Sequence, residues 1–123
     1  MKRFEGIVTR LGLSPLEAPS IISSKEGSLH IGIPRERAFQ EHRTPLVPEA
    51  VQVLVNNGHR VVIETGAGNL SHFTDREYSE AGAEIVYDIK EIFQADIIVK
   101  ITPPTVEEVD MMKMNQTLIS PLH

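Results

Sequence analysis

The stretch LHIGIP, residues 29–34, decides the fold, because a regular alternation of short apolar runs and amphipathic segments begins there. Runs rich in β-branched residues, each separated by a segment with helical periodicity, are typical of βαβ units. The runs VVIE and IIVKI are apolar on both faces, as expected of strands covered on both sides. We therefore predict an open parallel β-sheet with helices on both faces, in Rossmann-like or flavodoxin-like layers. The predicted strands are residues 29–33, 60–64, 83–86, 96–101 and 117–121.

Local signals mark the helix boundaries. Pro48 suits the first position of a helix that Gly58 ends. Two capping boxes open further helices, because in each an N-cap threonine and a glutamate three residues later satisfy free backbone donors. The predicted caps are Thr74 with Glu77, Thr105 with Glu108, and Asp88 for a short helix between them.

The chain divides into an N-terminal arm and one domain. Residues 1–28 show no useful periodicity, and we expect them to be irregular. Residues 29–123 carry the α/β pattern. The last predicted strand is followed at once by the end of the chain, whereas such a sheet normally continues into a covering helix. We therefore expect a fragment, cut before a further domain.

Composition excludes several classes of protein. The formal net charge of −5 argues against a nucleic-acid partner, since a basic surface is missing. The chain has no cysteine, which excludes disulfides and thiolate chemistry. No apolar run approaches the roughly 20 residues of a membrane helix, and no signal peptide is evident. We expect a cytoplasmic protein that does not insert into membranes.

A glycine turn, TGAGNLS at residues 65–71, is close to a dinucleotide-binding fingerprint. That motif needs a helix N-terminus directly after the glycines, whereas the helix predicted here begins at Thr74. Ser71 also stands where the third glycine should be. We interpret the segment as a tight turn and predict that this domain has no dinucleotide fingerprint of its own.

Ligands of open parallel sheets bind at the carboxyl ends of the strands. The loop after the first predicted strand is long, and long loops in compact domains are often functional. This edge collects Arg35, Glu36, Arg37, His42, Arg43, Lys100, Thr102 and His123. His30, His42, His59 and His72 show no metal-ligand spacing, so no metal site is expected.

Each main candidate has two interpretations. Arg43 is either a solvated loop charge or, beside a helix start, a clamp for a carboxylate. Lys100 ends an apolar strand, where extension of its ammonium to the surface is the expected explanation. His123 is either frayed at the chain end or a general acid, since its ordinary pKa lies near neutrality.

Four segments carry a family resemblance: IGIPRERAFQEHRTPLVPEAVQVLVNNGHRVVIETGAG, FTDREYSEAGAEIV, ADIIVK and LISPLH. Together they resemble the N-terminal domain shared by alanine dehydrogenase and the alpha subunit of NAD(P) transhydrogenase. The resemblance implies a keto-acid site in this domain and NAD, or NADP, bound mainly by a domain outside this chain. It also implies that Arg43 grips the substrate carboxylate and that His123 acts on the substrate oxygen. A homo-oligomeric parent protein is implied as well.

Thr102 departs from the family pattern. The resemblance places it in the substrate site, where alanine dehydrogenases have a lysine that polarises the substrate. Three functions follow as hypotheses: the substrate domain of an alanine dehydrogenase-like enzyme, a transhydrogenase alpha domain, or a non-catalytic binding or assembly module. The isolated chain is expected to be catalytically inactive, since the hydride acceptor has no site in it.

Overall fold

A computed structural model describes residues 27–38, 41–113 and 116–120. Within these ranges, five strands alternate with four α-helices, and one 3-10 helix, Asn69–Ser71, follows the glycine turn. The predicted arm, residues 1–28, lies outside the described residues except for its last two. The strands are β1 (His30–Ile33), β2 (Arg60–Glu64), β3 (Glu84–Val86), β4 (Ile97–Val99) and β5 (Thr117–Ile119), and the helices are α1 (Pro48–Asn56), α2 (Asp75–Glu80), α3 (Ile89–Ile92) and α4 (Val106–Met111).

All five strands are parallel, in the order β3-β2-β1-β4-β5. Central strand β1 pairs with β2 on one side and with β4 on the other, so that Ile31 lies between Val61 and Ile97. The chain therefore runs from β1 to β2 and β3 on one side of the sheet, and then crosses back to form β4 and β5 on the other side. This reversal makes the β1–β4 boundary the topological switch point, next to which open α/β sheets bind ligands. The predicted sheet is confirmed.

Alternation along the strands divides the core between the two faces of the sheet. On one face, Val61 and Ile63 join the cluster that α1 and α2 cover, together with Leu46, Leu54 and other residues. On the other face, Val62 and Ile98 pack with Ile92 and Phe93. The predicted helices on both faces are thus confirmed, and both layers hold the carboxyl edge of the sheet in place.

The predicted helix boundaries are also confirmed. Pro48 occupies the start of α1, and the capping boxes of Thr74 with Glu77 and Thr105 with Glu108 are both complete. Asp88 caps α3 by accepting a hydrogen bond from the backbone N–H of Lys90. Among the described residues, no helix is long and apolar enough to cross a membrane.

Tyr78 fastens α2 to the long loop between β1 and α1. Its side chain is 1% exposed, and its hydroxyl donates to the carbonyl of Leu46 at 2.7 Å. The same hydroxyl lies 3.3 Å from the Thr44 hydroxyl. A buried hydroxyl with two polar partners orients its neighbours, because leaving either partner unsatisfied would cost free energy. The end of the loop that carries Arg43 is therefore anchored to the core.

Candidate functional site

A cleft of about 450 Å³ opens at the carboxyl edge of the sheet, between the loop after β1 and the glycine turn after β2. Its charged lining comes from a single loop, residues 34–47, which contributes three arginines and two glutamates. The glycine turn and the 3-10 helix form the opposite wall. The lining residues are Arg35, Glu36, Arg37, Glu41, Arg43, Gly66, Ala67, Asn69 and Leu70.

Arg43 lies in this cleft, but its guanidinium is already bound to a carboxylate. Its Nε donates to Glu41 Oε2 at 2.8 Å and its Nη2 donates to Glu41 Oε1 at 2.8 Å. The backbone N–H of Arg43 donates to Glu41 Oε2 at 2.9 Å as well. Hydrogen bonding to the Arg43 side chain holds the pKa of Glu41 below its ordinary value. Arg43 is therefore in a position to clamp an anion, and an internal one occupies it.

The other two arginines of the cleft differ from Arg43 and from each other. Arg37 is bound to Glu64 through two hydrogen bonds, of 3.0 and 2.6 Å. Glu64 also accepts from the backbone N–H of Arg35 at 2.8 Å, which fixes the start of the loop to the end of β2. In the described part of the chain, the side chain of Arg35 makes no ion pair. Arg35 thus gives the cleft an uncommitted positive charge.

The side chain of Lys100 does not extend to the surface, contrary to the prediction. It is 1% exposed, and its ammonium lies 3.1 Å from Glu108 Oε1 and 3.7 Å from Glu36 Oε1. Both carboxylates are themselves nearly inaccessible. The prediction of an extended lysine was wrong because two buried glutamates, contributed by a loop and a helix, offer the ammonium charged partners inside the protein.

Glu36 joins the two loops on either side of the switch point. Its carboxylate accepts from the backbone N–H of Ile101 at 2.7 Å and from that of Thr102 at 3.3 Å. The Thr102 hydroxyl donates to the same carboxylate at 2.8 Å. Thr102 therefore lies behind Glu36, which lines the cleft in its place. Contact between Thr102 and a ligand stays a prediction.

The glycine turn forms a wall of the cleft. Gly66 has φ +79°, which confirms the predicted turn with positive φ. Its backbone N–H donates to Asp75 Oδ1 at 2.9 Å, and that of Ala67 donates to the Glu64 carbonyl at 3.0 Å. A Cβ on Gly68 would lie 2.6 Å from the Tyr78 ring. These donors are used within the protein and Gly68 is required for packing, so the turn does not fit a pyrophosphate cradle.

The histidine candidates contribute little to the described site. His123 lies outside the described residues, so its proposed role stays a prediction. The backbone carbonyl of His42 accepts a hydrogen bond from the Ser71 hydroxyl, which ties the loop after β1 to the 3-10 helix. Within residues 27–38, 41–113 and 116–120, no group of three His, Asp or Glu side chains could hold a metal ion.

Sequence reasoning missed the glutamates that hold the cationic side chains. Glu41 and Glu64 were not candidates, and Glu108 was assigned only to a helix cap. One signal was present: a lysine within an apolar strand needs a carboxylate partner if it does not leave the core. Glu108 fills both roles, since its Oε1 accepts from Thr105 N–H at 2.8 Å and from Lys100 Nζ.

Comparison with known proteins extends these observations. A family model described as "Alanine dehydrogenase/PNT, N-terminal domain" matches residues 32–123. The chain is similar to alanine dehydrogenase of Bacillus subtilis (strain 168), at 41% identity over 93 residues, covering 76% of this chain and 25% of the relative. It is equally similar to alanine dehydrogenase 2 of Staphylococcus aureus (strain USA300), at 41% identity over 95 residues, covering 77% and 26%.

Two solved structures share the fold. An L-alanine dehydrogenase superposes with a TM-score of 0.73 at 39% identity, covering 79% of this chain and 26% of that one. A transhydrogenase from Sinorhizobium meliloti superposes with a TM-score of 0.67 at 30% identity, covering 73% and 27%. The chain spans about a quarter of the length of these relatives.

The fold and the cleft define a doubly wound α/β domain with an arginine-lined cleft beside its switch point. The matched residues make the assignment more specific. This chain belongs to the alanine dehydrogenase/PNT family and corresponds to its N-terminal domain.

Proposed function

We propose that this chain is the substrate-binding domain of an alanine dehydrogenase-like amino-acid oxidoreductase. The observation that supports the proposal most directly is the cleft at the carboxyl edge, in which Arg43 presents a guanidinium able to bind a carboxylate through two hydrogen bonds. The parent protein would convert L-alanine reversibly to pyruvate and ammonia. Because the chain spans about a quarter of its relatives, the activity is proposed for that parent and not for residues 1–123 alone.

We infer the roles of individual residues from the family resemblance. Arg43 binds the substrate carboxylate and thereby fixes the orientation of the neighbouring carbon. His123 exchanges a proton with the substrate oxygen. Thr102 takes the position of a substrate-polarising lysine, and its hydroxyl is held by Glu36. NAD or NADP supplies the hydride acceptor, and we propose that a domain beyond residue 123 binds it, because the glycine turn here does not fit a dinucleotide.

The remaining features of the proposal concern the whole protein. Residues 29–123 are proposed to form the substrate domain, preceded by an arm over residues 1–28. The parent is proposed to be a cytoplasmic homo-oligomer whose partner is a small keto or amino acid. Neither nucleic acid nor a membrane is a proposed partner of this chain, whose net charge is −5.

A transhydrogenase alpha domain is the second candidate function. Thr102 favours it, because the resemblance places a lysine at this position in alanine dehydrogenases and not in transhydrogenases. The similarity to the Sinorhizobium meliloti transhydrogenase structure is consistent with it. This function predicts hydride exchange between NAD(H) and NADP(H) with no amino-acid substrate.

The two functions are separated by adding L-alanine, pyruvate with ammonia, and NAD(P)(H) to the full-length protein while following nicotinamide absorbance. Alanine-dependent reduction of NAD supports the first function, and exchange between the two nicotinamide nucleotides supports the second. Absence of both activities in a protein that binds nucleotide supports a non-catalytic module. Turnover by residues 1–123 alone would contradict the proposal that this domain binds the substrate while another domain binds NAD or NADP.

The role of Arg43 is tested by Arg43→Gln in the same protein. Loss of a charged, bidentate contact is expected to weaken pyruvate binding roughly 10- to 100-fold. Calorimetric titration with pyruvate measures this change. Arg76→Gln is the matched control, because Arg76 lies on α2 outside the cleft lining and its side chain is 86% exposed. Equal affinities of the two variants for pyruvate would show that Arg43 does not bind the substrate.

A further inference from the structure

We propose that Glu41 is an internal competitor for the ligand of Arg43, so that binding of a carboxylate in the cleft is an exchange reaction. The Glu41 carboxylate must leave the guanidinium before a ligand carboxylate can bind to the same atoms. Glu41 thereby sets both the affinity of the site and its selectivity among anions. The identity of the ligand as a small keto or amino acid rests on the proposed function, whereas the exchange itself does not.

The geometry of the pair carries this inference. Nε and Nη2 of Arg43 donate along one edge of the guanidinium to the two oxygens of Glu41, both at 2.8 Å. This is the arrangement that a carboxylate ligand adopts on an arginine. Since Glu41 takes the Nε–H and the Nη2 hydrogen that point along this edge, a ligand cannot use the same edge while Glu41 remains. The two residues are separated only by His42, so the competitor is always close to the arginine.

The pair is built so that a ligand can displace it. The Arg43 side chain is 58% exposed, and an ion pair that water can reach contributes little to stability. The Arg37 side chain is only 29% exposed. The partners Glu41 and Glu64 are both 8% exposed and each also accepts a backbone N–H, so the two pairs differ in the accessibility of the arginine. A ligand therefore reaches the guanidinium more readily at Arg43 than at Arg37.

Charge in the cleft favours the arrival of an anion even while Glu41 is bound. Arg43 is neutralised by Glu41, Arg37 by Glu64, and Glu36 faces Lys100. Arg35 lines the same cleft, and across the described ranges it has no ion-pair partner. The unpaired charge of Arg35 attracts a ligand carboxylate towards the Arg43–Glu41 ion pair, which the ligand must displace.

The exchange predicts a form of selectivity. A carboxylate replaces both hydrogen bonds that Glu41 gives up, whereas a monodentate anion such as chloride cannot replace them in the same geometry. A neutral amide of the same shape brings no charge to balance the guanidinium. By competing for Arg43, Glu41 therefore favours carboxylates over chloride and over neutral amides, which an unpaired arginine would bind more readily.

The experiment compares Glu41→Gln with the unaltered full-length protein, using Nε–H nuclear magnetic resonance of Arg43 and calorimetry with acetate, pyruvate and chloride as probes. We expect Glu41→Gln to tighten acetate and pyruvate binding about two- to fivefold, the size expected for loss of an exposed ion pair. We also expect chloride binding to become measurable at Arg43. Glu80→Gln is the matched control, because it removes an exposed glutamate that faces an arginine, Arg76, at 3.9 Å outside the cleft.

The outcomes separate this inference from the proposed function. If acetate reaches Arg43 more readily in Glu41→Gln but pyruvate binds no better than acetate in either protein, the exchange stands and the proposed substrate fails. Unchanged or weaker acetate binding in Glu41→Gln overturns the exchange, since Glu41 would then position the arginine and not compete for it. Failure of any carboxylate to shift the Arg43 resonance in either protein overturns it as well.

Discussion

Two sets of charges lie at the same edge of the sheet and have opposite characters. Around Lys100, the ammonium and its two carboxylate partners are almost inaccessible to water. Around Arg43, the guanidinium is 58% exposed and has one carboxylate partner from its own loop. The first set connects a loop, a strand end and a helix, whereas the second lies within one short segment. Charges at this edge of the sheet therefore fall into two kinds. A buried charge with several partners stabilises the loops, whereas an exposed charge with one partner is accessible to a ligand.

The buried set holds the walls of the cleft in place. Glu36 bonds across the switch point, and Lys100 with Glu108 ties that bond to α4. Removing Lys100 leaves Glu36 without this ion pair and Glu108 with only Arg37, at 3.8 Å, in a region with little water, where the cost is high. In the second set the Arg43 guanidinium is exposed although Glu41 is only 8% exposed, so water can solvate the arginine and loss of the pair costs less.

Lys100→Met should have the largest effect. It removes the cation between two inaccessible carboxylates and leaves Glu108 with only Arg37, at 3.8 Å. We expect the free energy of unfolding to fall by about 3–5 kcal/mol. Urea denaturation measures the loss. Lys90→Met, on the exposed surface of α3, should stay within about 0.5 kcal/mol of the unaltered protein. Adding Glu108→Gln to Lys100→Met should restore part of the stability, and no restoration would argue against a direct interaction of the two.

Glu36→Gln should have an intermediate effect. The amide keeps the shape of the side chain, but its NH₂ group faces the donors of Ile101, Thr102 or Lys100 in place of an acceptor oxygen. We expect a loss of about 1–3 kcal/mol in the free energy of unfolding. Chemical denaturation compares this variant with Glu91→Gln, an exposed glutamate on α3. Equal stability of the two variants would show that the link across the switch point contributes nothing.

The smallest effect is expected for the pH dependence of stability that comes from the Glu41–Arg43 ion pair. The hydrogen bonds from Arg43 lower the pKa of Glu41, with smaller support from the charge of His42, while burial opposes the change. A lowered folded-state pKa means that Glu41 adds stability above its unfolded pKa, about 4.3, and loses it as the pH falls through the folded value. After discounting for the exposure of Arg43, we expect less than about 1 kcal/mol.

Denaturation of the unaltered protein and of Glu41→Gln between pH 7 and pH 3 measures this contribution. The difference in the free energy of unfolding should be largest at neutral pH, shrink in added salt and vanish in acid. A difference that grows as the pH falls would have the wrong sign for a carboxylate paired with Arg43.

Local rules account for most of the fold. Strand positions, Pro48 at a helix start and two capping boxes were predicted because each depends on residues a few positions apart. Arg43 was placed at the correct edge by topology alone. The partners of Lys100 escaped prediction because they come from a loop 64 residues earlier and a helix eight residues later, and their approach depends on tertiary packing. The hydrogen bond between Thr102 and Glu36 also joins residues far apart in the sequence, and a contact of Thr102 with a ligand stays a prediction.

Tyr78 gives the protein an optical probe of its own cleft. The sequence has two tyrosines and no tryptophan, so near-ultraviolet signals divide between Tyr78, 1% exposed, and Tyr87, 80% exposed. Burial raises the pKa of the Tyr78 phenol above its ordinary value. With Tyr87→Phe, the remaining tyrosine absorbance and fluorescence of residues 1–123 come from a ring hydrogen-bonded to the loop that carries Arg43. Ligand binding can then be followed without any attached label.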